Sequence, residues 1–257
     1  MGALATCKFP FVDEFKKAAD NNKFLAFIDS ILSGYGQIGF NDNPVSGILF
    51  IIGTFVGSFQ NGVCSLVCTV TAAALGFLLG VPKVSMRLGL YTFNAALAGM
   101  GVGLFIFAGQ ENITVGMIVM SIICGVFCVF LTGAFSAVLS RWNVPSLALP
   151  YCTALFILVS ASLFIPALEP STSVIPHLGE MVAASEQGWS VSTFFQAYMN
   201  NFAEILWQAN WLSGAFFLAG VIVASRIDFL SVICASLAAT VTAIALNMPM
   251  DNILIGI

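Results

Sequence analysis

The stretch Gly36-Gln37-Ile38-Gly39-Phe40-Asn41-Asp42-Asn43-Pro44-Val45-Ser46-Gly47 indicates an internal repeat, because the chain contains a second version of it. The second version is Ala203-Glu204-Ile205-Leu206-Trp207-Gln208-Ala209-Asn210-Trp211-Leu212-Ser213-Gly214. Positions 37 and 204, 43 and 210, and 47 and 214 all differ by 167. Each version has an amide or a carboxylate, then an aromatic residue three positions later, then Asn-x-x-Ser-Gly at the start of an apolar run.

The composition indicates a membrane protein. Of the 257 residues, 59% are hydrophobic and only 8% are charged, whereas about 25% of the residues of a soluble domain are charged. Several uncharged runs reach the roughly 20 residues that a helix needs to cross a hydrocarbon core of about 30 Å. We therefore expect an all-α polytopic membrane protein embedded in a lipid bilayer. The net charge of −4 gives no indication of a nucleic acid partner.

Apolar runs and the polar breaks between them divide the chain into four parts. Residues 1–23 carry four lysines and three acidic residues, lack the pattern of a secretory signal, and are expected to be a cytoplasmic N-terminal segment. Residues 24–165 are predicted to be a first membrane repeat, with an amphipathic helix at 24–40 and spans near 44–58, 63–80, 88–108, 113–139 and 147–164. An extracytoplasmic linker at 166–189 precedes an incomplete second repeat at 190–257, with an amphipathic helix at 190–208 and spans near 212–225 and 228–247.

The distribution of basic residues predicts the topology. With the N-terminus in the cytoplasm, five spans before the linker leave all eight Lys and Arg residues on the cytoplasmic side, and Glu111 and the three glutamates of the linker outside. This agrees with the positive-inside rule. Because the number of spans before the second repeat is odd, that repeat enters the membrane from the opposite face. Inverted repeats of this kind place a transport site near the bilayer midplane, where short or broken helices meet.

The two amphipathic segments are predicted to be short re-entrant or tilted pore helices that end beside a polar path. The last turn of a helix leaves carbonyl groups without intrahelical partners, and such groups are tolerated at membrane depth only where they line a cavity. Gln37 and Glu204 add side-chain oxygens. Phe40 and Trp207, three residues later, are expected on nearly the same helix face. Oxygen acceptors beside aromatic faces suit a small, planar, neutral solute with several N–H donors.

A purely structural interpretation of the same residues remains open. Gln37 can serve as a hydrogen-bond clamp between helices, and Phe40 and Trp207 can face lipid or the core. The repetition favours the functional interpretation, because packing does not require matched polar residues at a fixed offset. Glu204 adds to it, since an ionisable residue within a membrane run is by default a functional candidate.

Catalysis has little support in the sequence. The chain has one histidine, no glycine-rich phosphate loop and no Ser-His-Asp set, so we expect neither enzyme activity nor a cofactor. Cys64 and Cys68, like Cys124 and Cys128, are four residues apart and thus share a helix face. We interpret them as small apolar packing residues rather than metal ligands. Glu204 is the only carboxylate clearly deep in a predicted span, which gives ion coupling little support.

The motifs resemble those of the urea transporter family of bacteria and animals. The resemblance covers essentially everything after Lys23 and rests on three segments in this order: residues 36–47, Gly89-Leu90-Tyr91-Thr92-Phe93-Asn94-Ala95-Ala96-Leu97, and Val144-Pro145-Ser146-Leu147-Ala148-Leu149-Pro150-Tyr151. It implies a homotrimer in the cell inner membrane, with one pore in each protomer that conducts urea passively. By the same resemblance, Gln37 and Glu204 belong to oxygen ladders, Phe40 and Trp207 are walls of aromatic slots, and Leu97 and Ile205 narrow the path.

Two features depart from the family pattern. The family usually has a threonine, whose hydroxyl contacts the solute, at the position of Ala148, so the affinity or selectivity of this chain is open at that point. A second copy of the segment that starts at Gly89 would begin at Gly256 and Ile257, where the sequence ends. We therefore expect the second repeat to be incomplete, and a truncated sequence is favoured over a native design of this kind.

The sequence thus predicts passive, channel-like transport of urea across the inner membrane. Two alternatives stay open. One is a channel for another small neutral solute, such as a short amide or ammonia, which Ala148 would allow. The other is a truncated subunit that does not conduct.

Overall fold

The computed structural model describes residues 9–107, 110, 112–165, 168 and 190–246. These residues form the helices α1 (Pro10–Asn21), α2 (Lys23–Gly36), α3 (Pro44–Gly57), α4 (Phe59–Leu78), α5 (Lys83–Arg87), α6 (Phe93–Phe105), α7 (Val115–Leu139), α8 (Leu149–Ser162), α9 (Val191–Ala203), α10 (Trp211–Ala224) and α11 (Arg226–Ala245). The 3-10 helices Gln37–Gly39, Ser140–Trp142 and Glu204–Leu206 continue α2, α7 and α9. The predicted all-α polytopic membrane fold is confirmed. Apart from residue 168, the linker predicted at 166–189 lies outside the described residues, as do residues 247–257.

Membrane-spanning length is reached by three helices in the described ranges: α4, α11, and α7 with its 3-10 extension. Helix α9 with its extension and α10 also reach it together, but they are bent by 69° at the break between them. Helices α3, α6 and α8 are apolar but have only 13 or 14 residues, which is about 20 Å at 1.5 Å per residue. The helices predicted at 88–108 and 147–164 are therefore shorter than expected.

The late start of α6 is explained by the close approach of Gly89 to α2. This residue has φ +70°, and a Cβ on it would lie 2.4 Å from the backbone nitrogen of Gly34. Glycine alone combines the left-handed conformation with so close an approach. Thr92 then donates its hydroxyl to the carbonyl of Ser30 at 2.6 Å. The turn is thus folded against α2, and α6 begins only at Phe93.

The polar break predicted at 59–62 is instead the first turn of α4. Ser58 caps this helix, because its hydroxyl oxygen accepts the N–H of Asn61 at 3.3 Å. Ser225 caps α11 in the same way and accepts the N–H of Asp228 at 3.2 Å. A serine at this position supplies an acceptor to the first turn, so polar residues are accommodated there and the helix begins earlier than its hydrophobicity suggests.

The internal repetition extends from the two quoted stretches to whole helices. Helices α3 and α10 begin and end 167 residues apart, and so do α4 and α11. The 3-10 helices that follow α2 and α9 obey the same offset. Equal bounds mean that the same local signals start and stop each pair of helices.

Two clusters of buried apolar side chains hold the helices together. The first joins α4, α6, α7 and α8 and includes Cys64, Cys68, Cys124 and Cys128. All four cysteines are fully buried, so the prediction that they are packing residues is confirmed. The second cluster joins α2, α3, α9 and α10, together with Ala73 of α4 and two residues of α6, Ala96 and Met100. Helices α2, α3, α9 and α10 flank the repeated stretches, which are thereby packed against each other.

Helix α1 is attached to the first repeated stretch by a group of charges. Lys16 Nζ lies 2.8 Å from Asp42 Oδ2 and 3.8 Å from Asp29 Oδ1. Arg87 Nε lies 3.8 Å from the other oxygen of Asp29, and Arg87 also pairs with Asp20. Asp29 is completely buried, and a buried carboxylate needs such partners. Because Asp42 follows Phe40 by two residues, α1 is fixed directly to the turn that carries this aromatic ring.

Candidate functional site

The first repeated stretch ends its helix in a tight turn. Phe40 has φ 56° and ψ 32°. Its N–H donates to the carbonyl of Gln37 at 2.9 Å, and the N–H of Asn41 donates to the carbonyl of Gly36 at 3.3 Å. These two bonds form a Schellman motif, in which the left-handed position is usually occupied by glycine. Here a phenylalanine occupies it.

The second stretch has the same turn. Trp207 has φ 55° and ψ 41°. Its N–H donates to the carbonyl of Glu204 at 2.8 Å, and the N–H of Gln208 donates to the carbonyl of Ala203 at 3.2 Å. A bulky residue in this conformation costs energy, and such strain is concentrated at functional sites. The matched pair of strained aromatic residues therefore marks these turns as the candidate site.

The turns correct two expectations. Phe40 and Trp207 do not share a helix face with Gln37 and Glu204, because the helical path ends one residue before each aromatic residue. The last-turn carbonyls are not all without partners either, since those of Gln37 and Glu204 accept the N–H groups of the turns. Each of these carbonyls keeps a second lone pair that can accept from a solute.

The two copies are joined by a reciprocal pair of hydrogen bonds. Ser46 Oγ donates to the carbonyl of Gly220, and Ser213 Oγ donates to the carbonyl of Gly53, both at 2.8 Å. The two serines differ by 167 positions, and so do the two glycines. Each serine lies near the start of its helix and each acceptor near the end of the other helix, so α3 and α10 pack antiparallel. Exchanging the copies reproduces the same pair of contacts, as a local two-fold axis requires.

Two equivalent aromatic residues of the copies contact each other. Phe50 and Phe217, again 167 positions apart, are buried and stack with 4.9 Å between ring centroids and 16° between ring planes. Offset stacking of this kind stabilises a contact beyond the area that it buries. Phe217 also lines the cavity that the two turns share. The interface between the copies therefore continues into the cavity wall.

A cavity of about 1180 Å³ lies beside the two turns, slightly above the range of roughly 300–1,000 Å³ that is typical of ligand sites. Its wall contains all seven residues that the sequence singled out: Gln37, Phe40, Leu97, Ala148, Glu204, Ile205 and Trp207. The fold thus brings together residues from both copies and from the two other motifs, 89–97 and 144–151. Their roles in conduction stay predictions.

The two copies present their aromatic rings differently. Phe40 is 82% exposed, whereas Trp207 is half-buried and makes an edge-to-face contact with Phe105 at 5.1 Å between ring centroids. Gln37 and Glu204 are both half-buried. Gln37 and Glu204 are therefore buried to a similar extent, while the ring of Phe40 is more exposed than the ring of Trp207.

Ala148 lies at the end of the irregular segment that connects α7 to α8. Asn143 has φ 55° and Leu147 has φ 42°, so the chain turns twice between the end of α7 and the start of α8. Ala148 directly precedes α8 and is half-buried. Its methyl group offers the cavity no hydrogen bond.

Sequence reasoning missed a row of hydroxyl groups on α7 and its extension. Thr132, Ser136 and Ser140 all line the cavity. Their spacing of four residues places them on one helix face. This spacing within an otherwise apolar run was a readable signal, because the face of a membrane helix that carries hydroxyl groups is expected to contact a polar path or another helix.

Comparison with known proteins gives a consistent result. Residues 28–257 match the family model of the urea transporter. The chain is similar to urea transporter 1 of Ovis aries, with 28% identity over 246 residues, and to urea transporter 1 of Mus musculus, with 28% identity over 240 residues. Both alignments cover 93% of this chain, and the chain spans 61% of the length of these relatives.

Proposed function

Because the chain belongs to the urea transporter family, we propose that it transports urea passively through the cavity that contains Gln37 and Glu204. The relatives are named as urea transporters, and the cavity has the chemistry that this solute requires. Urea is planar and neutral, with four N–H donors and one carbonyl acceptor. In this proposal the protein is a channel, and urea is transported without being chemically changed.

The observation that supports this proposal best is the matched pair of turns. Each turn contributes to one cavity wall a residue with a side-chain oxygen and an aromatic residue, and we take the main-chain carbonyls of Gln37 and Glu204 as further acceptors for the solute. Oxygen acceptors replace the water that surrounds the N–H groups of urea, and this exchange lowers the cost of leaving water. The faces of Phe40 and Trp207 restrict the solute to a flat orientation. Leu97 and Ile205, on the same wall, narrow the apolar part of the path.

The reciprocal contacts between α3 and α10 support an inverted arrangement of the two repeats. In this proposal residues 24–165 and 190–257 enter the membrane from opposite faces, and the N-terminus is cytoplasmic. The cytoplasmic position of all eight basic residues then follows the positive-inside rule. The family resemblance further implies a homotrimer in the cell inner membrane with one pore in each protomer.

A second candidate solute is a short amide. The methyl group of Ala148 lies on the cavity wall and accommodates an apolar substituent that a hydroxyl at this position would disfavour. Acetamide is then expected to pass along with urea. The ratio of acetamide flux to urea flux measures how far selectivity is relaxed at this point.

Stopped-flow urea efflux from proteoliposomes tests the proposal. We expect flux well above that of empty liposomes, and a loss of about tenfold in Phe40→Ala and in Trp207→Ala, the equivalent of ~1.4 kcal/mol each. Phe195→Ala is the matched control, because this ring is 55% exposed on α9 and lies outside the residues that line the cavity. Flux equal to that of empty liposomes contradicts transport, and a Phe40→Ala flux equal to that of the control contradicts the aromatic slot.

A further inference from the structure

We propose that the hydroxyl of Thr132 is a solute contact at the level of Ala148, and that it sets the affinity of the channel for a solute carrying both N–H donors and a carbonyl. This inference rests on the proposed function. Thr132 is 2% exposed and lines the cavity. Its hydroxyl oxygen is buried and has no hydrogen-bond partner. Buried polar groups are nearly always satisfied, and of the described residues with such an unpartnered side-chain atom Thr132 is the one that lines the cavity, so this exception needs a cause.

The helix could have satisfied this hydroxyl but does not. Six other helical threonines of the described chain donate to the carbonyl four residues earlier at 2.7–2.9 Å: Thr54, Thr69, Thr71, Thr153, Thr240 and Thr242. This bond is the default for threonine in an apolar helix. For Thr132 the corresponding acceptor is the carbonyl of Cys128, within the same α7 helix. The side chain of Thr132 therefore adopts an orientation that withholds its hydroxyl from its own backbone.

Contacts one helical turn before Thr132 show which part of α8 lies on one side of it along the cavity. Cys128 Sγ donates to the carbonyl of Asn94 at 3.7 Å. Asn94 Oδ1 in turn accepts the N–H of Tyr151 at 3.2 Å. Residues four apart lie on one face of a helix, so this face of α7 passes the first turn of α8 at the level of Tyr151.

Contacts one helical turn after Thr132 show which part of the segment before α8 lies on its other side. The hydroxyl groups of Ser136 and Ser146 are 3.3 Å apart. The face of α7 therefore reaches the segment before α8 at the level of Ser146. Thr132 lies between the two levels, and Ala148 lies between Ser146 and Tyr151 along the chain. The hydroxyl of Thr132 and the methyl of Ala148 thus belong to the same section of the cavity.

The chemistry of a hydroxyl suits the solute at this section. A hydroxyl both donates and accepts, so it can receive an N–H of urea or donate to its carbonyl, whereas Ala148 can do neither. The neighbouring hydroxyl groups on the same face are already engaged, since Ser136 pairs with Ser146 and Ser140 donates to the carbonyl of Ala137. Thr132 is the member of this row that remains available to a solute.

Formation of the contact requires a small movement of the wall. In the present conformation less than 1 Å² of the hydroxyl oxygen is open to solvent. Tyr91 lies beside the adjacent Gly133, because its hydroxyl oxygen would be 3.7 Å from a Cβ on that residue, and Tyr91 also lines the cavity. The contact forms when the solute displaces such a side chain, and the unsatisfied hydroxyl favours this displacement.

Two measurements on Thr132→Val test the inference. Loss of a solute contact weakens urea binding while removal of an unpaired buried hydroxyl stabilises the fold, whereas loss of a structural threonine lowers stability and leaves urea binding unchanged. The half-saturating urea concentration for flux is expected to rise about fivefold to tenfold, as the loss of one hydrogen bond predicts. The melting temperature is expected to rise by about 2–6 °C, because an unsatisfied buried hydroxyl has been removed. Thr132→Ser keeps the hydroxyl and is expected to retain the half-saturating concentration within about twofold.

The control is Thr71→Val, whose hydroxyl donates to the carbonyl of Val67 and whose side chain lies outside the residues that line the cavity. It is expected to leave the half-saturating concentration unchanged and not to raise the melting temperature. A Thr132→Val channel with unchanged half-saturation, or with a lowered melting temperature, overturns the inference while the proposed function stands. Absence of urea flux in the unaltered protein overturns the proposed function, and the inference with it.

Discussion

Replacing Gly47 with alanine is expected to destabilise the chain by about 3 kcal/mol, the upper end of the range for over-packed cores. A Cβ on Gly47 would lie 1.9 Å from the carbonyl oxygen of Leu32, whereas contacts of a Cβ below 3.0 Å are essentially never seen. The obstructing atom belongs to the backbone and cannot rotate away, so α2 and α3 must separate by roughly 1 Å in an interior packed as densely as a crystal. The internal repetition makes the same prediction for Gly214, where a Cβ would lie 2.1 Å from the carbonyl oxygen of Met199.

Thermal unfolding in detergent measures this effect, with a thiol-reactive fluorophore reporting the exposure of the buried cysteines. A loss of about 3 kcal/mol corresponds to a melting temperature lower by roughly 6–12 °C for a chain of this size. Gly116→Ala is the control, since its Cβ would have its nearest neighbour at an ordinary 3.5 Å, and we expect no loss of stability there. A melting temperature of Gly47→Ala within about 2 °C of the unaltered protein, or clearly different responses at positions 47 and 214, would refute the close packing of the repeated helices.

Two further predictions concern contacts that fix the site from either side. Lys16→Met removes the partner of Asp42 and is expected to lower stability by ~1 kcal/mol, so the amides of α1 should exchange hydrogen about fivefold faster. Lys17→Met, at the exposed neighbouring position, should leave this exchange unchanged. Equal exchange in both variants would show that the charges do not hold α1. Phe217→Ala removes the ring that stacks on Phe50 and is expected to cost about 3–5 kcal/mol, measured by the same unfolding assay, and a cost below about 1 kcal/mol would contradict a packed contact between the copies.

The repetition could be predicted because each of its signals acts locally. In both copies the side chain of an asparagine caps the following helix, with Asn43 accepting the N–H of Val45 and Asn210 accepting the N–H of Leu212, both at 2.9 Å. Such caps depend on one residue type at one position. The pattern therefore fixes the start of α3 and α10 without any knowledge of the rest of the fold.

The conformation of Phe40 and Trp207 could not be predicted in the same way. Aromatic residues avoid the left-handed region, so the sequence favours a continuing helix and a shared face with Gln37 and Glu204. At Trp207 a tertiary contact accompanies the left-handed conformation, because the ring packs on Phe105, which is distant in sequence. Phe40 is exposed, and its conformation is held by the hydrogen bonds of the turn. The expectation of a common helix face was wrong for this reason, although the grouping of the residues at one cavity did not depend on it.

Distant contacts also explain the other differences. Hydropathy alone predicted a helix from residue 88, because it does not register the approach of Gly89 to the backbone of Gly34. The position of α1 could not be read from the sequence either, since it depends on Lys16 meeting Asp29 and Asp42 in space. Thr132, by contrast, follows from helical spacing on α7 and could have been found.

The proposed function requires Gln37 and Glu204 to act on one solute in one pore. Stopped-flow urea efflux from proteoliposomes that contain the unaltered chain, Gln37→Leu or Glu204→Leu tests it most directly, with water and glycerol permeability as controls. We expect urea flux in the unaltered protein, a fall of about tenfold in each variant, the equivalent of ~1.4 kcal/mol, and unchanged control permeabilities. Urea flux that is unaffected by either substitution, or that changes in parallel with glycerol leakage, would contradict it.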